Sequence, residues 1–373
     1  MKKKLLLAAG GIVCGLLIGE VAARVILSRL PDPPDTPFIR DDACMYRLRP
    51  SEPGRHAEDH DDHINLLGFR DRNHQRPKPA GRSRVLGLGD SFVYGAVSPH
   101  DNFLKVAERA VNQESPVPVD ILLMGVPGWS TENQLGYLQD TGLGLDPDLV
   151  VVNFFVGNDV TGIPVRGRVI RGHVYPTTSP LPVRNFLRKS RLFLMFESLV
   201  LRRMMAQVRA TETQAPTGDN TSVNDLYLKI VNQNLPVFAR EQVPRTRALW
   251  DEAEGYLAEI DQSCRTAGVP WLLVLIPDEL QVDPDVRSQV LAGLALPAAD
   301  YDFEAPQKRL THWAAAHQVA VLDLLPALRD RHRVGNRLYV PNDTHWNRDG
   351  NLIAGLVVGG GILDQLNPPT EEK

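Results

Sequence analysis

At 373 residues the chain is too long for one minimal domain and suits one large α/β domain with insertions. Its 41 Lys and Arg against 45 Asp and Glu leave a net charge of −4, which lacks the basic signature of a nucleic-acid binder. A hydrophobic fraction of 43% is enough for a core and excludes disorder as the default. The three cysteines, Cys14, Cys44 and Cys264, are too far apart for a zinc-type motif. Cys44 and Cys264 are able to pair if the domain lies outside the cytoplasm.

Lys2, Lys3 and Lys4 precede an apolar run from Leu5 to Gly19, continued by Ala22, Ala23, Val25, Ile26 and Leu27. Glu20 and Arg24 interrupt its far end. This length spans or nearly spans a bilayer, and the lysines hold the N-terminus in the cytoplasm and send the remainder across. No clear small-x-small cleavage site precedes Glu20, so residues 1–28 are expected as an uncleaved transmembrane signal anchor rather than a removed signal peptide. The chain is then a single-pass membrane protein with an extracytoplasmic domain. Residues 29–83 read as a Pro-rich stalk and lead-in, because the prolines between Leu30 and Pro37 remove donors and fix φ. Asn65 to Arg70 reads as a short ordered element turning at Gly68.

The main domain is expected over residues 84–369. Strands are predicted at Val85–Leu88, Val119–Met124, Leu149–Phe155, Trp271–Ile276 and Val319–Leu322. Helices are predicted at Asn102–Asn112, Thr131–Thr141, Arg245–Ala267, Pro306–His317 and Arg348–Leu366. Continuous apolar strands alternating with helices imply a parallel sheet covered on both faces. Residues 160–245 interrupt the alternation as an insertion. Within it, Arg184 to Arg209 interleaves basic and apolar residues and reads as a helix packed on the domain with a solvated basic face. The other reading is an amphipathic helix on an anionic membrane surface; a lid over substrate is compatible with either. The cluster from Arg55 to His63 contains His60 and His63 among acids. It reads as a solvated loop rather than a metal site, and no cofactor is expected.

Four short words fall where a parallel sheet puts its functional loops, at the carboxyl ends of strands. Gly89-Asp90-Ser91 ends the first strand and offers a serine nucleophile, which needs a base within hydrogen-bond reach. Gly125-Val126-Pro127-Gly128-Trp129 ends the second, where a glycine lets a backbone N–H approach a ligand. Gly157-Asn158-Asp159 ends the third, and an Asn amide there can donate to a developing oxyanion. Near the C-terminus stands Asp343-Thr344-His345-Trp346. His345 is the natural base, with Asp343 to hold its tautomer. Trp129 and Trp346 flank these words and are equally suited to pocket lining and to packing.

These words, in this order, resemble the SGNH (GDSL) hydrolase superfamily across residues 84–159 and 268–366. The resemblance implies a flavodoxin-like three-layer α/β/α sandwich and metal-free ester or acyl chemistry. It implies a catalytic set of Ser91, Asp343 and His345, and an oxyanion hole shared by the Ser91 and Gly128 N–H groups and the Asn158 side chain. Gly125 is the rival of Gly128. The commonest family spacing puts the Asp three residues before the His, where this chain has Asn342; the Asp-x-His-Trp form resembles membrane-associated polysaccharide O-acetyltransferases. Val93 breaks the Gly-x-Ser-x-Gly elbow of the α/β-hydrolases proper. The expected function is that of a membrane-anchored serine esterase on an ester-bearing substrate, an acylated glycan or lipid. The alternatives are an O-acyltransferase working with envelope-polysaccharide machinery, and a non-catalytic envelope scaffold.

Overall fold

The computed structural model describes residues 2–29, 37–51, 63–163, 167–170, 173–176, 186–187, 189–194, 196–197 and 222–367. The chain divides into two compact units, residues 47–164 with 221–373 and residues 1–46 with 165–220.

The larger unit is built on five strands: β1 (Ser83–Gly89), β2 (Val119–Gly125), β3 (Leu149–Phe155), β4 (Trp271–Ile276) and β5 (Ala320–Asp323). All pair in parallel, in the order β2-β1-β3-β4-β5. Val85 lies between Ile121 on β2 and Leu149 on β3, and Val152 is level with Leu273 on β4. This is the doubly wound flavodoxin-type order, α/β in class, as the strand–helix alternation predicts. Side chains alternate between faces. Val85, Ile121, Val151 and Val274 join one core with Phe103, Leu104, Val358 and Ile362, from the helices Phe103–Glu114 and Arg348–Leu366. On the other face the helices Thr131–Tyr137, Pro244–Ala267 and Ala305–His317 complete the right-handed crossovers, and Phe154 of β3 stacks on Trp250 at 6.4 Å.

The chain winds from β1 to β2 on one side, then crosses back to β3 on the other. The ends of β1 and β3 therefore flank the point where the winding reverses, the crevice in which open α/β sheets bind ligands. The unit also reaches back before β1. Arg70 is buried and donates from Nη1 to the Gly95 and Val97 carbonyls, each at 2.9 Å. Asp71 accepts from the Leu123 N–H at 3.0 Å and pairs with Lys105 at 3.0 Å. Gly68, at φ +84°, makes the expected turn after Asn65.

Several helices went unexpected: Asp225–Asn234, Glu279–Val282, Pro284–Gly293 and Leu325–Arg333. The helix expected over Thr131–Thr141 stops at Tyr137 and continues as a π turn, Leu138–Gly142. Neither Cys44 nor Cys264 is in a disulfide, and both are buried. Cys264 faces the core from the helix Pro244–Ala267, and burial pushes its thiol up to about 12.

In the smaller unit, Lys2–Arg29 is one helix of 28 residues. Glu20 pairs with Arg24 at 2.7 Å and accepts hydrogen bonds from Ser190 Oγ at 2.6 Å and from the Arg191 and Leu192 N–H groups. Among the described residues no helix is long and apolar enough to cross a membrane. The expected transmembrane anchor is thus not supported; this ion pair and its polar partners sit where the apolar run had to continue. Gly167–Ile170 and His173–Pro176 pair as an antiparallel ribbon. Most of the basic stretch from Arg184 to Arg209 lies outside the described residues, as does His60. His63 is buried, and among the described residues no group of His, Cys, Asp or Glu is arranged to hold a metal.

Candidate active site

β1 delivers Ser91 to the crevice. Asp90 caps the turn Ser91–Tyr94 by accepting the Phe92 N–H at 2.9 Å, so the cap is the carboxylate and the Ser91 hydroxyl is left over. Asn102 fixes the turn from the other side. Its Nδ2 donates to the Phe92 and Val93 carbonyls at 3.2 and 3.0 Å while its Oδ1 caps the helix Phe103–Glu114. Gly125, at the end of β2, lies against this turn. A Cβ there would collide with the Val93 and Tyr94 backbone, so Gly125 is required for packing. Gly128 has φ +79°, the left-handed region in which glycine is unstrained, within a turn closed by the Trp129 N–H to the Val126 carbonyl at 3.1 Å.

The loop between Leu338 and Asn347 presents the histidine. The Val340 N–H donates to the His345 carbonyl at 2.9 Å, and the Asn347 N–H to the Leu338 carbonyl at 3.0 Å. Tyr339 Oη anchors the loop to the Pro277 carbonyl after β4 at 2.8 Å. His345 Nε2 lies 2.7 Å from Ser91 Oγ, and Nδ1 lies 2.5 Å from Asp343 Oδ1, which also accepts the His345 N–H at 3.0 Å. Phe92 packs against the imidazole with ring centroids 5.1 Å apart.

Burial works against the imidazolium, but the Asp343 hydrogen bond and charge, with that of Asp90, hold His345 above its ordinary pKa. Burial likewise works against the Asp343 carboxylate, and its partnership with His345 keeps it below the usual range. Asn342 plays no part in this pairing. It sits at φ +55°, and its amide turns away to accept the Asn224 N–H at 2.8 Å and donate to the Ser222 carbonyl at 3.2 Å. Trp129 and Trp346 are fully buried and pack rather than line an open pocket: Trp129 meets Phe69 and Tyr137, and Trp346 meets Phe92 and Phe103 edge-on.

Asn158 opens the short helical turn Asn158–Thr161 at the end of β3. Beside it Asp159 is fully buried, accepting the Phe155 N–H at 2.7 Å. After β4, Asp278 and Glu279 are buried too. Burial raises Asp278 to about 6 and Glu279 to about 8, and Tyr227 Oη donates to Glu279 at 2.5 Å. Tyr227 lies in the stretch read as insertion, and neither spacing nor composition pointed to this contact.

A serine, a histidine and a carboxylate in one hydrogen-bond chain at the edge of a parallel α/β sheet are the groups that nucleophilic acyl chemistry needs. Residues 237–372 match the family model described as the SGNH hydrolase-like domain of acetyltransferase AlgX. Over this C-terminal segment the chain is similar to the SGNH hydrolase superfamily. The matched segment holds Asp343 and His345 and stops short of Ser91, Gly128 and Asn158. No curated protein matches the chain. Among solved structures it is similar to an acetyl xylan esterase, AlAXEase, at 11% identity and TM-score 0.41, over 75% of this chain and 99% of that one. It is similar also to a lipase/acylhydrolase from Enterococcus faecalis at 14% and 0.39, over 77% and 99%. A GDSL-like lipase from Bacteroides thetaiotaomicron follows at 14% and 0.35, over 75% and 87%.

Proposed function

We propose that the protein is a serine ester hydrolase in which Ser91 is the nucleophile, His345 the base and Asp343 the residue that orients it. The hydrogen-bond chain from Ser91 Oγ through both imidazole nitrogens to Asp343 carries this reading. With Nδ1–H directed at Asp343, the neutral imidazole offers Nε2 as an acceptor. As Ser91 Oγ bonds to the acyl carbon, its proton passes to Nε2 and the carbonyl oxygen becomes an oxyanion. The oxyanion is received by the Ser91 and Gly128 N–H groups and the Asn158 amide, donors that act where charge develops. Collapse of this intermediate breaks the ester C–O bond, and the leaving alcohol takes the Nε2 proton. Water, activated by the same nitrogen, then releases the acid and restores Ser91.

The second reading is O-acetyl transfer, in which a glycan hydroxyl replaces that water. The matched domain description, that of an acetyltransferase, favours it. Incubation with p-nitrophenyl acetate and a neutral or acidic oligosaccharide separates the two. Acetylated oligosaccharide in the mass spectrum identifies a transferase, and acetate alone a hydrolase. If neither forms and a fluorophosphonate fails to label Ser91, the serine mechanism is wrong.

We also place the enzyme outside the cytoplasm, on the strength of Lys2–Lys4 ahead of the apolar run. Alkaline phosphatase fused after Lys373 is active only if exported; an inactive fusion sinks this location.

A further inference from the structure

Every backbone carbonyl of the turn that carries Ser91 is taken. The Tyr94 N–H donates to the Asp90 carbonyl at 3.1 Å, and the Gly95 N–H to the Ser91 carbonyl at 2.8 Å. The Asn102 amide serves those of Phe92 and Val93. The next two are met by one side chain that precedes β1. Arg70 Nη1 stands 3.4 Å from the Tyr94 carbonyl and 2.9 Å from those of Gly95 and Val97. Its guanidinium also lies over the Tyr94 ring, 5.2 Å from the centroid. Arg70 is only 8% exposed. A buried cation persists only where hydrogen bonds replace its water, and hydrogen bonds from a charged donor are about twice as strong as neutral ones. The guanidinium therefore pins the far end of the serine turn.

The residue before it reaches the glycine turn. Phe69 is buried and meets Trp129 edge-on at 5.9 Å and Tyr137 at 4.9 Å. Trp129 follows Gly128, and its N–H closes that turn on the Val126 carbonyl. Phe69 and Arg70 sit in an element that is folded on itself. Asn65 Oδ1 accepts the Leu67 and Phe69 N–H groups at 3.0 and 3.1 Å, and its Nδ2 donates to the Arg72 carbonyl at 3.1 Å. Asp71, the next residue, is tied to the Leu123 N–H of β2 and to Lys105. Consecutive side chains of one braced element thus hold two turns from different loops. Two backbone donors on separate loops need such a brace, because an oxyanion hole works only when its donors are fixed before the charge develops.

We propose that Phe69 and Arg70 are positioning residues that hold the Ser91 and Gly128 N–H groups at the spacing the oxyanion requires. Arg70 acts through the Tyr94 and Gly95 carbonyls, and Phe69 acts through Trp129. This inference rests on the assignment of Ser91 as nucleophile with Gly128 in the oxyanion hole, and deepens it. The donors act on the transition state more than on the bound ester, so loss of the brace falls on kcat rather than KM.

The test uses the purified full chain and p-nitrophenyl acetate, with active serines counted by exhaustive fluorophosphonate labelling. Arg70→Met removes the donors and keeps an unbranched stem; Phe69→Leu removes the ring and keeps an apolar side chain. Arg70→Met is expected to lower kcat per labelled serine by ~10²-fold and Phe69→Leu by about tenfold, each with KM within a factor of about two. Phenylboronic acid, whose adduct on a serine sets an oxygen where the oxyanion forms, should lose affinity by the same factors. A residue that only stabilises the fold lowers the thermal midpoint and the number of labelled serines, and leaves kcat per labelled serine alone. An unchanged kcat per labelled serine in either variant therefore overturns the proposal. So does a loss carried by KM with boronate affinity retained. Should Arg70→Met not fold, Phe69→Leu decides alone. Full activity in Ser91→Ala with no fluorophosphonate label rejects the serine reading beneath the proposal. An inactive Ser91→Ala beside unimpaired Arg70→Met and Phe69→Leu rejects the brace and keeps the serine mechanism.

Discussion

Ser91→Ala is expected to lower kcat for ester cleavage by about six orders of magnitude, the loss seen when a triad serine is removed elsewhere. The fold should survive. The turn Ser91–Tyr94 is capped by the Asp90 carboxylate on the Phe92 N–H and tied down by Asn102, and neither contact uses the serine hydroxyl. Removing Oγ leaves His345 Nε2 without its partner, but the imidazole is about a quarter exposed and water can replace the contact. A thermal midpoint close to wild type should therefore accompany the lost rate. Asn158→Ala gives the contrast, since one oxyanion donor is worth ~10²–10³ in kcat. Ester turnover by purified Ser91→Ala at a tenth of the wild-type rate or more would end the serine mechanism. An Asn158→Ala enzyme with unchanged kcat would remove only the amide from the oxyanion hole.

The parts legible in the sequence are those where local chemistry and tertiary position agree. β3 and β4 are read without error because Leu149–Phe155 and Trp271–Ile276 are apolar runs, and a strand covered on both faces needs nothing else. The lone polar residue in them, Asn153, spends its amide on the Leu88 carbonyl of β1 at 2.8 Å, which is invisible without knowing the strand order. The helix Arg348–Leu366 is marked by Asn347, whose Oδ1 caps the Gly350 N–H. The helix Asp225–Asn234 carries an equally good cap in Asn224, but no apolar strand pattern stands beside it in the sequence to suggest its place.

At the site the limits are of another kind. Spacing before His345 leaves Asn342 and Asp343 both in reach. The choice is made by one backbone dihedral, the positive φ of Asn342, which swings its amide toward Ser222 and Asn224. Gly125 and Gly128 look alike in sequence and differ in what surrounds them, one pressed against the serine turn and the other in a left-handed turn. Asp90 and Asp159 stand inside the two most telling words of the chain, yet the burial of both depends on β1 and β3 being neighbours in the sheet. That comes from the winding of the sheet, not from either word.

Asp343→Asn is expected to combine a rate loss with a displaced pH profile. An Asn at this position can present its amide N–H to Nδ1 and favour the tautomer with the proton on Nε2, where it blocks acceptance from Ser91; the equivalent change in a serine protease costs ~10⁴ in kcat. The pH effect has a definite sign. The base works only when neutral, so kcat/KM rises with pH through the His345 titration. In the wild type that rise lies above the ordinary imidazole value near 6.5, because the Asp343 hydrogen bond and charge outweigh burial together with help from Asp90. Removing the Asp343 charge moves the rise to lower pH. Stability follows the same linkage. The raised histidine contributes stability that is present below about 6.5 and lost as pH climbs through its folded pKa. The lowered Asp343 contributes stability present above about 3.9 and lost as pH falls through its own. The pair thus stabilises the fold most between those limits, and Asp343→Asn should flatten the dependence of the thermal midpoint on pH inside that window. Asn342→Ala supplies the control, because its amide serves Ser222 and Asn224: it should leave the kcat/KM rise where it is. A displaced rise in Asn342→Ala with an unmoved one in Asp343→Asn would reverse the assignment of the residue that holds His345.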